Sequence, residues 1–370
     1  MLRTNELDYE LPPGMIATEP VSPRDAARLL VVHDRGAGAL EHRRVSDLPE
    51  LLRAGDRLVF NTTRVMPARF VGVREDTGGK VGGLFLQQLG DGRWLAMVKA
   101  RRFRQGAPIR LFDAAGQRTG VVLTLIQRDA EDASAWVLSV RDEEGPVAAV
   151  RTPAVLNRVG LAPLPPYILG ARRDRGLTRP DAQDRASYQT VYADEHEAGS
   201  VAAPTAGLHF TPTLLANLVQ QGIERSDTLL HIGAATFKPI ETELVDDHPM
   251  HAEWCAMTGE AAAAIDQTRT DGGRIIAIGT TAVRTLESYA PHMGGELPPW
   301  IETRLLIAPG YRWQVVDGLL TNFHLPRSTL LALVAAMVEG GITRVRELYA
   351  LAMAQRYRFY SYGDAMLILP

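Results

Sequence analysis

One cysteine, Cys255, stands in 370 residues, so no disulfide can close within the chain and no cysteine-rich zinc site can form. That economy fits a reducing compartment, and a cytoplasmic protein is expected. Long apolar runs are also missing. The run near the C-terminus, Leu330 to Val338, falls well short of the roughly 20 residues that span a bilayer and reads as a buried helix. The opening residues, Met1 to Asp8, alternate polar and apolar and lack the apolar centre of a signal peptide. Neither charge dominates: 40 Lys and Arg face 43 Asp and Glu, a net −3, so no global basic field draws the molecule onto nucleic acid. Any RNA contact must come from a local patch.

Several catalytic signatures are absent as well. There is no G-x-x-x-x-G-K-[ST] phosphate loop, and the nearest approach to a dinucleotide fingerprint, Gly36 to Glu41, lacks its third glycine. Neither G-x-S-x-G nor H-E-x-x-H occurs, which sets aside the common hydrolase templates. His248-Pro249-Met250-His251-Ala252-Glu253, with His231, is the best metal candidate, but a proline interrupts the histidine pair. No metal site is expected.

What is present is an ordinary globular composition, 46% hydrophobic and 22% charged, long enough for about two domains. Between Val65 and Val150 short β-branched runs (Phe70 to Val73, Val81 to Leu86, Trp94 to Val98, Gly120 to Ile126, Ala135 to Val140) are separated by Gly- and Asp-rich turns. Such spacing predicts a small barrel or sandwich. On both sides strands alternate with helical periodicity, which predicts α/β architecture. The simplest map is a discontinuous α/β domain of residues 1–65 and 152–370, interrupted by a β domain at 66–151. The clearest unit is the buried run Gly273 to Ile278, then Gly279-Thr280-Thr281 and a periodic helix through Val283, Leu286 and Tyr289. A strand that turns into a helix N-terminus makes a natural small-ligand or anion site. Leu214 to Val219 and Ser328 to Met337 predict further helices opened by Thr or Ser.

Four dense segments mix small, hydroxyl and ionisable residues: Gly199 to Thr211, Gly279 to Ser288, Leu320 to Thr329 and Tyr357 to Met366. With Asn61 to Arg69, Leu164 to Ile168, Tyr188 to Tyr192 and His248 to His251, they resemble the S-adenosylmethionine:tRNA ribosyltransferase-isomerases of queuosine biosynthesis, nearly end to end. The resemblance implies an α/β fold with an inserted small β-barrel domain. It also implies transfer and isomerisation of the ribosyl moiety of S-adenosylmethionine onto 7-aminomethyl-7-deazaguanine at the tRNA wobble position. Adenine and methionine leave, and epoxyqueuosine tRNA remains. S-adenosylmethionine is then a co-substrate; no cofactor is implied, and a monomer that does not engage membranes is expected.

That chemistry needs a base beside the sulfonium, a proton donor for adenine and a clamp for the methionine end. His209 and His324 are candidate bases because imidazole titrates near neutrality. Arg284 and Glu287, three apart on one helix, are candidates for the methionine carboxylate and amine. Asp364, beside Gly363, is a candidate proton donor or amine holder, which makes His209, His324, Glu287 and Asp364 the catalytic set. Thr205, Gly207, Gly279, Thr280, Thr281 and Asn322 are candidate substrate contacts, with Phe210 and Phe323 candidates for stacking on adenine. For tRNA phosphates the densest basic runs offer Lys99, Arg101, Arg102 and Arg104, with Phe103 beside them, and Arg172 and Arg173.

The chain departs from the family pattern in places. Thr62 replaces an aspartate, Gly82 a glutamate and Ala235 a glycine, and Trp300 to Tyr311 is looser. These departures leave two competing readings: a paralogous transferase with another amine acceptor, and a non-catalytic tRNA-binding protein on the same scaffold.

Overall fold

In the computed structural model, residues 1–370 are described except 34, 36, 37, 91, 101–103, 131, 133 and 234–238. Nine strands form the main sheet in the order Ile301–Thr303, Glu253–Ala256, Glu224–Leu230, Arg57–Asn61, Ile275–Ile278, Gly318–Asn322, Ala365–Ile368, Arg28–Val32, Leu40–Arg44. The four strands from Glu224–Leu230 to Gly318–Asn322 run parallel.

Alternation along these strands explains the layers. Leu30 and Val32, Val59, Ile275 and Ala277, Leu319, and Met366 and Ile368 point to one core. Their neighbours Leu29 and Val31, Leu58 and Phe60, Ile276 and Ile278, Leu320, and Ala365 and Leu367 point to the other. A sheet apolar on both faces must be covered on both. Helices Gly259–Thr270, Thr280–Tyr289, Thr329–Met337 and Gly341–Ala354 cover the first face, and Pro212–Gln220 covers the second. The expected hydroxyl caps are in place: Thr211 Oγ1 accepts from Leu214 N (3.1 Å) and Ser328 Oγ from Leu331 N (3.2 Å), satisfying amides the helix cannot. The apolar run Leu330 to Val338 lies in the third of these helices except for Val338, which follows it, and its inner face is buried. Among the described residues no helix is long and apolar enough to cross a membrane.

Between Asn61 and the return to the main sheet, Arg69–Arg74, Lys80–Gln88, Arg93–Ala100, Pro108–Phe112, Arg118–Arg128 and Ala135–Asp142 close into a six-stranded antiparallel barrel. The last two strands pair to complete the circle. The choice between barrel and sandwich is thereby settled in favour of the barrel. Phe70, Phe85, Trp94, Leu123 and Leu138 fill it. The strand that sequence reading missed is Pro108–Phe112: it starts on proline and sends only Ile109 and Leu111 inward, too short a pattern to stand out. Helix Thr152–Val159, which a boundary at 151 assigns to the α/β part, packs Val155, Leu156 and Val159 into the barrel's core.

Candidate active site

The strand Ile275–Ile278 ends at Gly279, whose backbone (φ 89°, ψ 159°) is open only to glycine, and then becomes the helix Thr280–Tyr289. Gly279 N donates to Leu320 O of the adjacent parallel strand (2.8 Å). A Cβ at Gly279 would stand 3.3 Å from the Ala206 methyl, so the glycine lets the Thr205–His209 turn close against the helix start. The next strand ends in Thr321 and Asn322 and delivers His324. A small cleft of about 40 Å³ forms here, at the C-terminal ends of parallel strands, as expected of open α/β sheets. It is lined by Thr205, Gly279, Thr280, Thr281, Asn322 and His324, all six expected from sequence, together with Thr321, Ile232 and Leu330.

Two polar atoms in this cleft are spare. Among the described residues Thr281 Oγ1 and Asn322 Oδ1 are buried without a hydrogen-bond partner, although Asn322 Nδ2 donates to Tyr360 O (3.1 Å). Leaving a buried polar atom unpaired costs about 1–3 kcal/mol, and such atoms at the mouth of a helix N-terminus are the mark of a ligand position. His324 is 8% exposed, and burial pushes its pKa down to about 3. It is therefore a neutral imidazole at physiological pH, and no lining side chain carries a formal charge. Its Nε2 lies 2.8 Å from Thr321 Oγ1. Its main chain is gripped from both sides: His324 N donates to Tyr349 Oη (2.8 Å), and Tyr9 Oη donates to His324 O. Thr321, Tyr349 and Tyr9 were not expected. Thr321 is adjacent in sequence to Asn322, whereas Tyr9 is 315 positions from His324 and nothing in the sequence links them.

The remaining candidates are placed elsewhere. His209 has Nδ1 3.0 Å from Ala206 O and Nε2 3.0 Å from Gly363 O; burial lowers its pKa, and its ring staples the 205–209 turn to the C-terminal loop. Asp364, 2% exposed, accepts from Arg28 N (3.1 Å) and Arg358 N (2.8 Å) and pins that loop rather than facing the cleft. Arg284 and Glu287 share a helix but not a target. Arg284 pairs with Glu253 and donates to Leu305 O (3.2 Å). Glu287 accepts from Tyr311 Oη and the amides of Gln314, Val315 and Val316 (2.9–3.0 Å). The joint clamp expected of them is not assembled, because each is already spent on the chain itself. Phe210 packs its edge on Phe60 (5.0 Å) and Phe323 lies against Phe359 (4.8 Å). Both are 0% exposed, so neither offers a face to adenine. Gly207 backs the turn, away from the cleft.

The family described as queuosine biosynthesis protein matches residues 4–368. The chain belongs to this family. It is 46% identical over 374 residues to the S-adenosylmethionine:tRNA ribosyltransferase-isomerase of Moorella thermoacetica, and 47% identical over 369 residues to that of Symbiobacterium thermophilum. Each alignment covers 100% of both chains. A crystal structure of S-adenosylmethionine tRNA ribosyltransferase from Thermotoga maritima is 32% identical, covers 98% of this chain and 100% of its own, and superposes with a TM-score of 0.52.

Against the pattern of the queuosine biosynthesis family, the departures at Thr62 and Gly82 fall outside the cleft. Thr62 Oγ1 donates to Thr228 O (3.2 Å) at the end of a central strand. Gly82 lies within a barrel strand opposite Val71 and Lys99. Ala235 is outside the described residues. The loose stretch Trp300 to Tyr311 meets Arg284 through the carbonyls of Thr303 and Leu305, and main-chain contacts tolerate varied side chains.

Of the basic runs, Arg101, Arg102 and Phe103 also lie outside the described residues. Lys99 is exposed, and Arg104 is exposed with Asp76 at 3.3 Å. Arg173 is exposed beside Asp174 (3.5 Å). Arg172 is only 7% exposed; it grips Asp184 with two nitrogens (2.7 and 2.8 Å) and donates to Thr18 O. Among the described residues no three His, Cys, Asp or Glu side chains gather to hold a metal ion.

Proposed function

We infer that this chain is a tRNA-modifying transferase-isomerase that moves the ribosyl moiety of S-adenosylmethionine onto 7-aminomethyl-7-deazaguanine at the wobble position. It releases adenine and methionine and leaves epoxyqueuosine tRNA. The observation that carries this reading is the family match across residues 4–368, and the lining of the cleft, which must widen to admit the whole co-substrate, suits the chemistry. A sulfonium is a cation, and the Thr281–Asn322–His324 cleft carries no guanidinium or ammonium to repel it. Thr281 Oγ1 and Asn322 Oδ1 are free to bond the co-substrate's polar groups.

Within this reading His324 is the base. Its neutral ring takes the proton from the carbon next to the sulfonium, and the resulting ylide expels adenine and opens the ribose. The tRNA amine then adds, the ring recloses and methionine departs as the epoxide forms. Burial makes the imidazole a weak base, but keeps it unprotonated and ready. Work on tRNA and the lone, buried, free Cys255 both fit the cytoplasm.

The test is adenine release from S-adenosylmethionine with tRNA bearing 7-aminomethyl-7-deazaguanine, against tRNA bearing guanine there. Release only with the modified tRNA, accompanied by epoxide on the tRNA, is expected. No release by folded, tRNA-binding protein would favour the non-catalytic binder, and release with a different amine acceptor would favour the paralogue.

A further inference from the structure

Apart from the cleft at the strand ends, a separate groove of about 610 Å³ lies in the seam between barrel and main sheet, within the roughly 300–1,000 Å³ of sites that enclose small ligands. The segment Arg64–Pro67, where the chain enters the barrel, forms one side, and the residues after the barrel form the other. Three arginines, Arg24, Arg64 and Arg185, line it against one carboxylate, Glu195. Arg185 is balanced by Asp181 (2.6 Å). Arg24 is not: its guanidinium donates to the carbonyls of Gln189 (2.6 Å) and Ala186 (2.7 Å), which fix its position and leave its charge. Among the described residues Arg64 has no side-chain hydrogen bond or ion pair. Met66, Pro67 and Leu156 supply apolar wall. Thr190, 5% exposed, has a buried hydroxyl without a partner among the described residues.

We propose that this seam groove holds a phosphate-bearing nucleotide of the tRNA acceptor, apart from the cleft that takes the co-substrate. The proposal rests on the functional reading above. Two uncompensated guanidiniums call for an anion and disfavour the sulfonium cation, while the apolar wall suits a base face and Thr190 Oγ1 suits a base edge or ribose hydroxyl. The groove and the cleft share a partition. A Cβ on Gly207 would collide with the Tyr192 hydroxyl and come within 3.0 Å of Thr190 Cγ2, so Thr190 abuts the same turn that brings Thr205 to the cleft. The acceptor strand is thus held one turn of chain away from the co-substrate.

Binding of the wobble-modified tRNA by the full chain, measured across a salt series, tests this alongside separate measurement of S-adenosylmethionine binding. Arg64→Ala is expected to weaken tRNA binding roughly tenfold and to reduce the slope of log affinity on log salt by about 1, with co-substrate affinity unchanged. Thr190→Val is expected to weaken tRNA severalfold without changing the salt slope, since it removes a hydroxyl and no charge. Unchanged tRNA affinity and slope in Arg64→Ala would overturn the proposal while leaving the enzyme reading intact. So would loss of S-adenosylmethionine binding with tRNA binding preserved, which would make the groove the co-substrate's. Failure of the unsubstituted chain to bind the tRNA would overturn both.

Discussion

His324 and His209 both sit in dense motifs and both are nearly buried, yet their surroundings differ in one respect. His209 has a main-chain carbonyl at each ring nitrogen, so its bonding capacity is consumed in joining two loops. His324 has Thr321 at Nε2 and opens onto a cleft where Thr281 and Asn322 keep unpaired atoms. The same contrast separates Thr281 from Glu287 further along the same helix: the first is polar capacity left unspent, the second is capacity fully used. An ionisable residue in a marked motif is free for chemistry only where the neighbouring chain has not already claimed it.

The largest effect should come from His324→Ala, which removes the proposed base. Adenine release is expected to fall by about 10²–10⁴-fold in protein whose thermal unfolding shows it folded, whereas His209→Ala should lower the melting temperature and keep most activity per folded molecule. The opposite ranking would reverse the assignment of the two histidines.

Glu287→Ala should act on stability rather than rate. It strips four hydrogen bonds from the 311–316 loop, and a loss of about 3 kcal/mol in denaturant unfolding is expected. A variant of undiminished stability that no longer binds S-adenosylmethionine would restore the methionine clamp.

Acid should expose both histidines. Each has its folded-state pKa lowered by burial, His324 to about 3, so below pH about 6.5 the unfolded chain takes up protons that the folded chain refuses. Stability is then full above pH about 6.5 and declines as pH falls, by up to about 1.4 kcal/mol per pH unit for each histidine, the His324 part continuing toward pH about 3. His324→Gln should flatten that decline in urea titrations at stepped pH; an unaltered slope would mean that His324 is protonated in the folded protein.

The smallest effect and the sharpest contrast belong to Thr281→Val. Because its hydroxyl is unpaired in the free protein, stability should hold or rise slightly, while the KM for S-adenosylmethionine rises roughly tenfold, the value of one hydrogen bond.

Much of the architecture was legible because alternation and Gly-rich turns are local properties. The barrel, the strand–Gly279–helix unit and the two hydroxyl-capped helices follow from patterns within ten residues of each other. The cleft was half legible. Thr281, Asn322 and His324 come from two motifs that lie on neighbouring parallel strands, so motif proximity became spatial proximity. What the linear pattern concealed was who had already claimed each side chain. Arg284 looked free until Glu253, 31 positions away, crossed to it from the strand next to the sheet's edge, and Arg172 until Asp184 closed on it. Pairings of that kind depend on tertiary distances, and Tyr9 reaching His324 from the other end of the chain shows how far they extend.

The central claim is that the co-substrate occupies the neutral cleft at the strand ends. A crystal structure of the protein with S-adenosylmethionine bound tests it most directly. The expected result places the ligand's polar atoms within hydrogen-bond reach of Thr281 Oγ1 and Asn322 Oδ1, with the carbon beside its sulfonium facing His324 and the Arg284–Glu253 pair intact. A ligand seated in the Arg24–Arg64 groove, or held by Arg284 and Glu287 with their present bonds broken, would contradict it.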